Sequence, residues 1–220
     1  MSDYQNRFIR LAIQAKALQF GEFTLKSGRT SPYFFNAVAF QTSMQLAQLA
    51  ACYADALDQS GLHFDVIFGP AYKGIPLATA LACDYARRQC DVGIAFNRKE
   101  VKNHGEGGQV IGAALNARRV MIIDDVITAG TAIRQSLALI RAAGGDVVGI
   151  TVALDRQERI EAADHRSAIQ AIAQSEQIPI ISIATLKNLL AYTQMHHAMS
   201  DSFSLLKAYQ ARYCVNNLEQ

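Results

Sequence analysis

Two adjacent carboxylates, Asp124 and Asp125, are followed closely by the small-residue turn Thr128-Ala129-Gly130-Thr131. Four apolar residues, Val120 to Ile123, lead into them. Ile133, Leu137 and Ile140 then recur at helical spacing, and Gly144 and Gly145 stand where that helix would be capped. A helix start leaves backbone N–H groups unpaired and carries partial positive charge. Small residues let a phosphate approach those groups, with the two Thr hydroxyls as further donors. Acids touching that phosphate would repel it, so Asp124 and Asp125 suit sugar hydroxyls or a bound metal. A phosphorylated sugar meets both demands. The lysine of G-x-x-x-x-G-K-[ST] is absent, and no G-x-G-x-x-G precedes the helix. The competing reading is an ordinary strand–loop–helix junction with acids near the helix start.

Other residues could serve such a ligand. Tyr72 and Lys73 stand in the tight loop GPAYKGIP, 69–76, where open α/β sheets place ligands, although an exposed turn lysine is as common. Residues 97–108, NRKEVKNHGEGG, hold Arg98, Lys99, Lys102 and His104, then Gly105, Gly107 and Gly108. Alone, that composition means a solvated loop. Beside the acid pair it reads as a lid whose cations gather around an anion such as pyrophosphate, with glycines as hinges. Arg156, at a strand's end, could clamp a carboxylate or form a rim ion pair with Asp155 or Glu158. Lys26 alone would be a solvated lysine. Phe34 and Phe35 would ordinarily be core, though a flat ligand could stack there.

The elements that must position these residues alternate. Helices are predicted over 3–18, 43–58, 75–89 and 167–175, with two more at the C-terminus. Thr42 or Ser43, Thr185 and Ser200 are the expected caps. Strands are predicted over 66–68, 92–96, 120–123, 146–154 and 178–183, and 25–36 turns between two extended pieces. This pattern argues a mainly parallel sheet flanked by helices. The chain of 220 residues fits one domain, 1–220, with a small hood built from 1–40 and the C-terminal segment. Hydrophobic residues make up 50% and charged residues 18%, with a net charge of +2, so nucleic acid is disfavoured as main partner. No apolar signal core or membrane-length run is present, and a cytoplasmic location is expected. The four cysteines lack metal spacing and read as reduced thiols, and His196 and His197 are a poor metal pair.

The acid-pair stretch resembles the phosphoribosyl-pyrophosphate (PRPP) motif of the type I phosphoribosyltransferases. Over nearly the whole chain, LKSGRTSPYFFN, FGPAYKGIP, NRKEVKNHGEGG, VMIIDDVITAGTA and LDRQER resemble the bacterial, homodimeric orotate phosphoribosyltransferases. That resemblance implies transfer of ribose 5-phosphate from PRPP to orotate, in pyrimidine (UMP) biosynthesis. It implies that Asp124, Asp125, Val126, Ile127, Thr128, Ala129, Gly130, Thr131 and Ala132 hold the ribose 5-phosphate. Lys26, Tyr72 and Lys73 would meet PRPP and its pyrophosphate. Arg98, Lys99, Lys102 and His104 would form a lid reaching across the dimer. Orotate would lie by Phe34, Phe35 and Thr128, with its carboxylate on Arg156. Mg²⁺ would be held mainly by PRPP and water, with no protein metal ligand. A purine phosphoribosyltransferase or a non-catalytic PRPP sensor are the alternatives.

Overall fold

The structure is a computed structural model that describes residues 1–215 other than 26, 103–107, 129 and 161–164, with main chain alone at 99–102 and 108. Helix α1 (Asp3–Gln14) precedes an antiparallel hairpin of β1 (Leu18–Thr24) and β2 (Thr30–Phe35). Then follow α2 (Ser43–Ser60), β3 (Val66–Gly69), α3 (Gly74–Arg87), β4 (Gly93–Lys102), β5 (Gly108–Gly112) and β6 (Arg119–Asp124). The remainder is α4 (Thr131–Ala142), β7 (Asp146–Asp155), α5 (Ala168–Glu176), β8 (Ile180–Thr185), α6 (Leu186–Met195) and α7 (Ser200–Tyr213). The main sheet runs β5-β4-β3-β6-β7-β8, and only the β4–β5 pair is antiparallel.

Strand β6 explains the layering. Val120 and Ile122 enter one core with Ile133, Leu137 and Ile140 of α4 and Ile172 of α5. Met121 and Ile123 enter the other, with Leu49 and Leu57 of α2 and Leu81 of α3. Successive strand side chains point to opposite faces, so burial on both demands an unbroken apolar run. Helices α3 and α4 therefore lie on opposite faces. The chain steps outward from β3 to β4 in one direction and from β6 to β7 in the other. Such a reversal opens a crevice at the carboxyl ends of β3 and β6.

Several boundaries differ from expectation. The predicted helix over 3–18 stops at Gln14 because Lys16 turns with φ +56, and Leu18 pairs with Phe35 in the hairpin. Leu18 is apolar at helical spacing because a strand buries it. The polar stretch from 97 is no irregular loop at its start: β4 continues through Lys102, which pairs with Gly108 of β5. An antiparallel partner supplies the hydrogen bonds that composition alone does not reveal. The strand expected over 178–183 runs Ile180–Thr185. Thr42 and Thr185 cap α2 and α6 through capping boxes, whereas Ser200 is the first residue of α7 and Met199 its cap.

Ile122 is fully buried between β3 and β7. Ile122→Ala is expected to destabilise the protein by about 2–5 kcal/mol, read as a lower urea midpoint at unchanged slope.

Candidate active site

The crevice is walled by the loops after β3 and β6. The β3 loop closes so tightly that a Cβ on Gly69 would come 2.2 Å from the Gly74 carbonyl oxygen, and one on Gly74 would lie 2.6 Å from Pro70 Cδ. Only glycine fits at both ends. The Ala71 N–H donates to Asn97 Oδ1 at 2.8 Å, tying this loop to the end of β4. Tyr72 is exposed, and Lys73 reaches across the crevice, its Nζ donating to Asp125 Oδ2 at 2.8 Å.

Asp125 is 5% exposed and bridges three strand ends. Its Oδ1 accepts the Val126 N–H at 2.9 Å, and its carbonyl accepts the Ala153 N–H of β7 at 3.0 Å. Asp124 is half-buried beside it. Its Oδ1 accepts the Asp125 N–H at 2.8 Å, and its carbonyl takes the Tyr53 hydroxyl of α2 at 2.8 Å. Burial, and then the neighbouring Asp125 carboxylate, push the Asp124 carboxyl up to about 7.

Beyond the acids, Gly130 caps α4 at φ +72, and a Cβ there would meet Ile172 Cδ1 at 2.4 Å. Thr128, Thr131 and Ala132 are exposed. The N–H groups of the first α4 turn have no intrahelical acceptor. Ile127 is buried in the α4–α5 core and Val126 packs against the opposite one. Ile127, being buried, can meet a ligand only through its main chain.

The β1–β2 hairpin meets the chain just after β7. Arg156 follows β7, and its guanidinium lies 4.3 Å from the centre of the Tyr33 ring of β2. Its Nη2 donates to Ser31 Oγ at 3.1 Å, and its Nε donates to Glu158 Oε1 at 2.7 Å. The ion pair considered for Arg156 therefore forms, with Glu158 and not Asp155. Burial pushes the Asp155 carboxyl up to about 6. Phe34 and Phe35 separate: Phe35 is 7% exposed and packs on Phe8, a core residue. Phe34 is 37% exposed and stacks on Phe23. The pleat turns successive rings to opposite faces, so the Phe34 ring stands exposed while the Phe35 ring enters the core.

Of the remaining expected residues, Arg98 is half-buried just past Asn97. Lys99 and Lys102 are placed by main chain only, on β4. Lys26, His104 and Ala129 lie outside the described residues.

Residues 38–177 match the model of the phosphoribosyl transferase domain. The chain is 56% identical to the orotate phosphoribosyltransferase of Stenotrophomonas maltophilia strain K279a, across 99% of this chain and 100% of that one. It is 60% identical to that of Xanthomonas euvesicatoria pv. vesicatoria, covering 97% of each. The chain belongs to the orotate phosphoribosyltransferase family. A solved structure of the family, from Francisella tularensis, superposes with a TM-score of 0.85 at 38% identity, covering 94% of this chain and 98% of that one.

For this family member, the residues that sequence reading missed are supports. Tyr53 sits on an apolar helix face, where nothing in the sequence signals a hydroxyl aimed at a strand end. Asn97 opens the polar stretch, and its position after a strand was the available signal. Ser31 and Tyr209 reach Arg156 and Glu158 from elements distant in sequence.

The raised Asp124 carboxyl binds a proton in the folded state at pH values where the unfolded chain has lost it. Its contribution to stability is therefore complete below about pH 4 and lost as pH rises through about 7. Asp124→Asn in ligand-free protein is expected to gain stability relative to the parent as pH rises across that window, measured by urea unfolding at each pH.

Proposed function

We propose that the protein transfers the 5-phosphoribosyl group of PRPP to a ring nitrogen of orotate, forming orotidine 5′-monophosphate and pyrophosphate in pyrimidine (UMP) synthesis. One observation carries the reading. In a member of this family, the buried acid pair, the glycine-capped start of α4 and Lys73 converge on one crevice. The N–H groups at the start of α4 would take the 5-phosphate, and Asp124 and Asp125 the sugar hydroxyls. Lys73, with Tyr72, would meet the diphosphate from the opposite wall. Orotate would lie by Phe34 and the main chain of Phe35, near Thr128, with Arg156 toward its carboxylate.

Breaking the bond to pyrophosphate leaves the sugar with cationic character and the leaving group with negative charge. The buried acids favour the first and the cations of β4 and the lid the second, in a site closed to water. The attacking orotate nitrogen is already anionic, so no strong general base is needed. Among the described residues no cluster of three or more His, Cys, Asp or Glu could hold a metal ion. The adjacent carboxylates Asp124 and Asp125 would suit Mg²⁺ arriving on PRPP oxygens and water. When bound, Mg²⁺ would offset charge on the diphosphate.

The lid, with Arg98, Lys99, Lys102 and His104 as its cations, is proposed to reach the site of a second copy in a homodimer, and Lys26 is proposed to meet PRPP alongside Tyr72 and Lys73. A cytoplasmic setting suits the reading: Cys52, Cys83, Cys90 and Cys214 are all unpaired, as a reducing compartment leaves them. No helix among the described residues is long and apolar enough to cross a membrane.

A cuvette assay with orotate, PRPP and Mg²⁺ tests the reaction. Orotate absorbance is expected to fall, with no product from purine bases. Consumption of a purine base instead, or PRPP binding with orotate unchanged, overturns the proposal. Lys102→Ala should lower turnover by about 10²–10³-fold with folding intact. Mixing it with Asp125→Asn should regenerate activity, because a hybrid dimer holds one site with neither change. Inactive hybrids would refute site sharing.

A further inference from the structure

The guanidinium of Arg156, just past the carboxyl end of β7, is held along one edge. Its Nε and Nη2 both lie on Glu158 Oε1, at 2.7 and 2.6 Å, and Nη2 also donates to Ser31 Oγ. The side chain is 13% exposed. Among the described residues, Nη1 has no hydrogen-bond partner. A planar guanidinium whose Nε edge is taken can present a carboxylate only with its Nη1 end.

Glu158 is itself fixed from two sides. The Tyr209 hydroxyl of α7 donates to Oε1 at 2.7 Å, and Arg29, in the turn between β1 and β2, brings Nη1 within 3.7 Å of Oε2. Tyr209 stands edge-on to Tyr33, the ring beneath Arg156, with centroids 6.2 Å apart. The last helix, the hood hairpin and the end of β7 thus meet at one carboxylate.

We infer that Glu158, anchored by Tyr209, is a positioning residue that sets orotate affinity by holding the Nη1 end of Arg156 toward the substrate carboxylate. The inference rests on the reading of Arg156 given above. Without Glu158 the guanidinium can rotate on its long side chain, and orotate must select the productive rotamer. The chemical step and PRPP lie across the crevice and are untouched. Specificity for the acidic base therefore depends on α7, a helix distant in sequence from the PRPP motif.

Steady-state kinetics of Glu158→Gln, Tyr209→Phe, Arg156→Gln and the double variant Glu158→Gln/Arg156→Gln test this. Glu158→Gln should raise KM for orotate about tenfold, the scale of one lost hydrogen bond to a charged group, and Tyr209→Phe about threefold. Both should leave kcat and KM for PRPP within about twofold, the margin expected of independent sites. In the Arg156→Gln background, Glu158→Gln should have no further effect on KM for orotate. Unchanged KM for orotate in Glu158→Gln, or a full effect persisting without Arg156, overturns the positioning role. Unchanged KM for orotate in Arg156→Gln sinks the underlying reading instead. If Glu158→Gln does not fold, Tyr209→Phe decides, since its ring still fills the same space.

Discussion

Where β3 and β6 lie side by side, the chain leaves the sheet in opposite directions. Helix α3 goes to one face and α4 to the other, and the gap between their approaches cannot be filled by either. Everything at the site depends on that reversal. The loop after β3 must double back within a few residues, which is why Gly69 and Gly74 touch backbone to backbone. The loop after β6 must deliver an unpaired helix start to the same gap, which is why Gly130 takes a left-handed conformation at the cap.

The reversal also creates an electrostatic conflict. Two carboxylates sit at the end of a strand buried on both faces, where burial and the neighbouring Asp125 raise the cost of ionising Asp124. Lys73 pairs with Asp125 directly at 2.8 Å, whereas the hydrogen bond that Asp124 accepts among the described residues comes from the main chain. Such a pair weakens the empty protein at neutral pH. On the proposed reading its compensation comes when sugar hydroxyls and a diphosphate enter, which would make the unfavourable term a property of the binding site and not of the fold.

Much of this was legible in the sequence. The apolar run 120–123 and the order acid pair, small turn, helix needed only strand and helix periodicity. The glycines of 69–76 announced the other wall. Alternation of strands and helices was enough for the sheet. What escaped was whatever depends on a partner far along the chain. Leu18 looked helical because the hairpin strand that buries it lies at 30–35. The extension of β4 through Lys102 was hidden because its hydrogen bonds come from β5. Phe34 and Phe35 were indistinguishable until the pleat assigned each a face. Arg156 offered an ion pair or a substrate clamp, and the structure shows the ion pair with Glu158 while leaving one end of the guanidinium uncommitted among the described residues.

The central claim is that the crevice between β3 and β6 grips an activated sugar phosphate. A crystal structure of the protein with PRPP tests it most directly. The account predicts the 5-phosphate within hydrogen-bond distance of the N–H groups of 128–131 and the sugar hydroxyls on Asp124 and Asp125, with the diphosphate toward Lys73. PRPP bound away from Asp125 and Thr131 would contradict it.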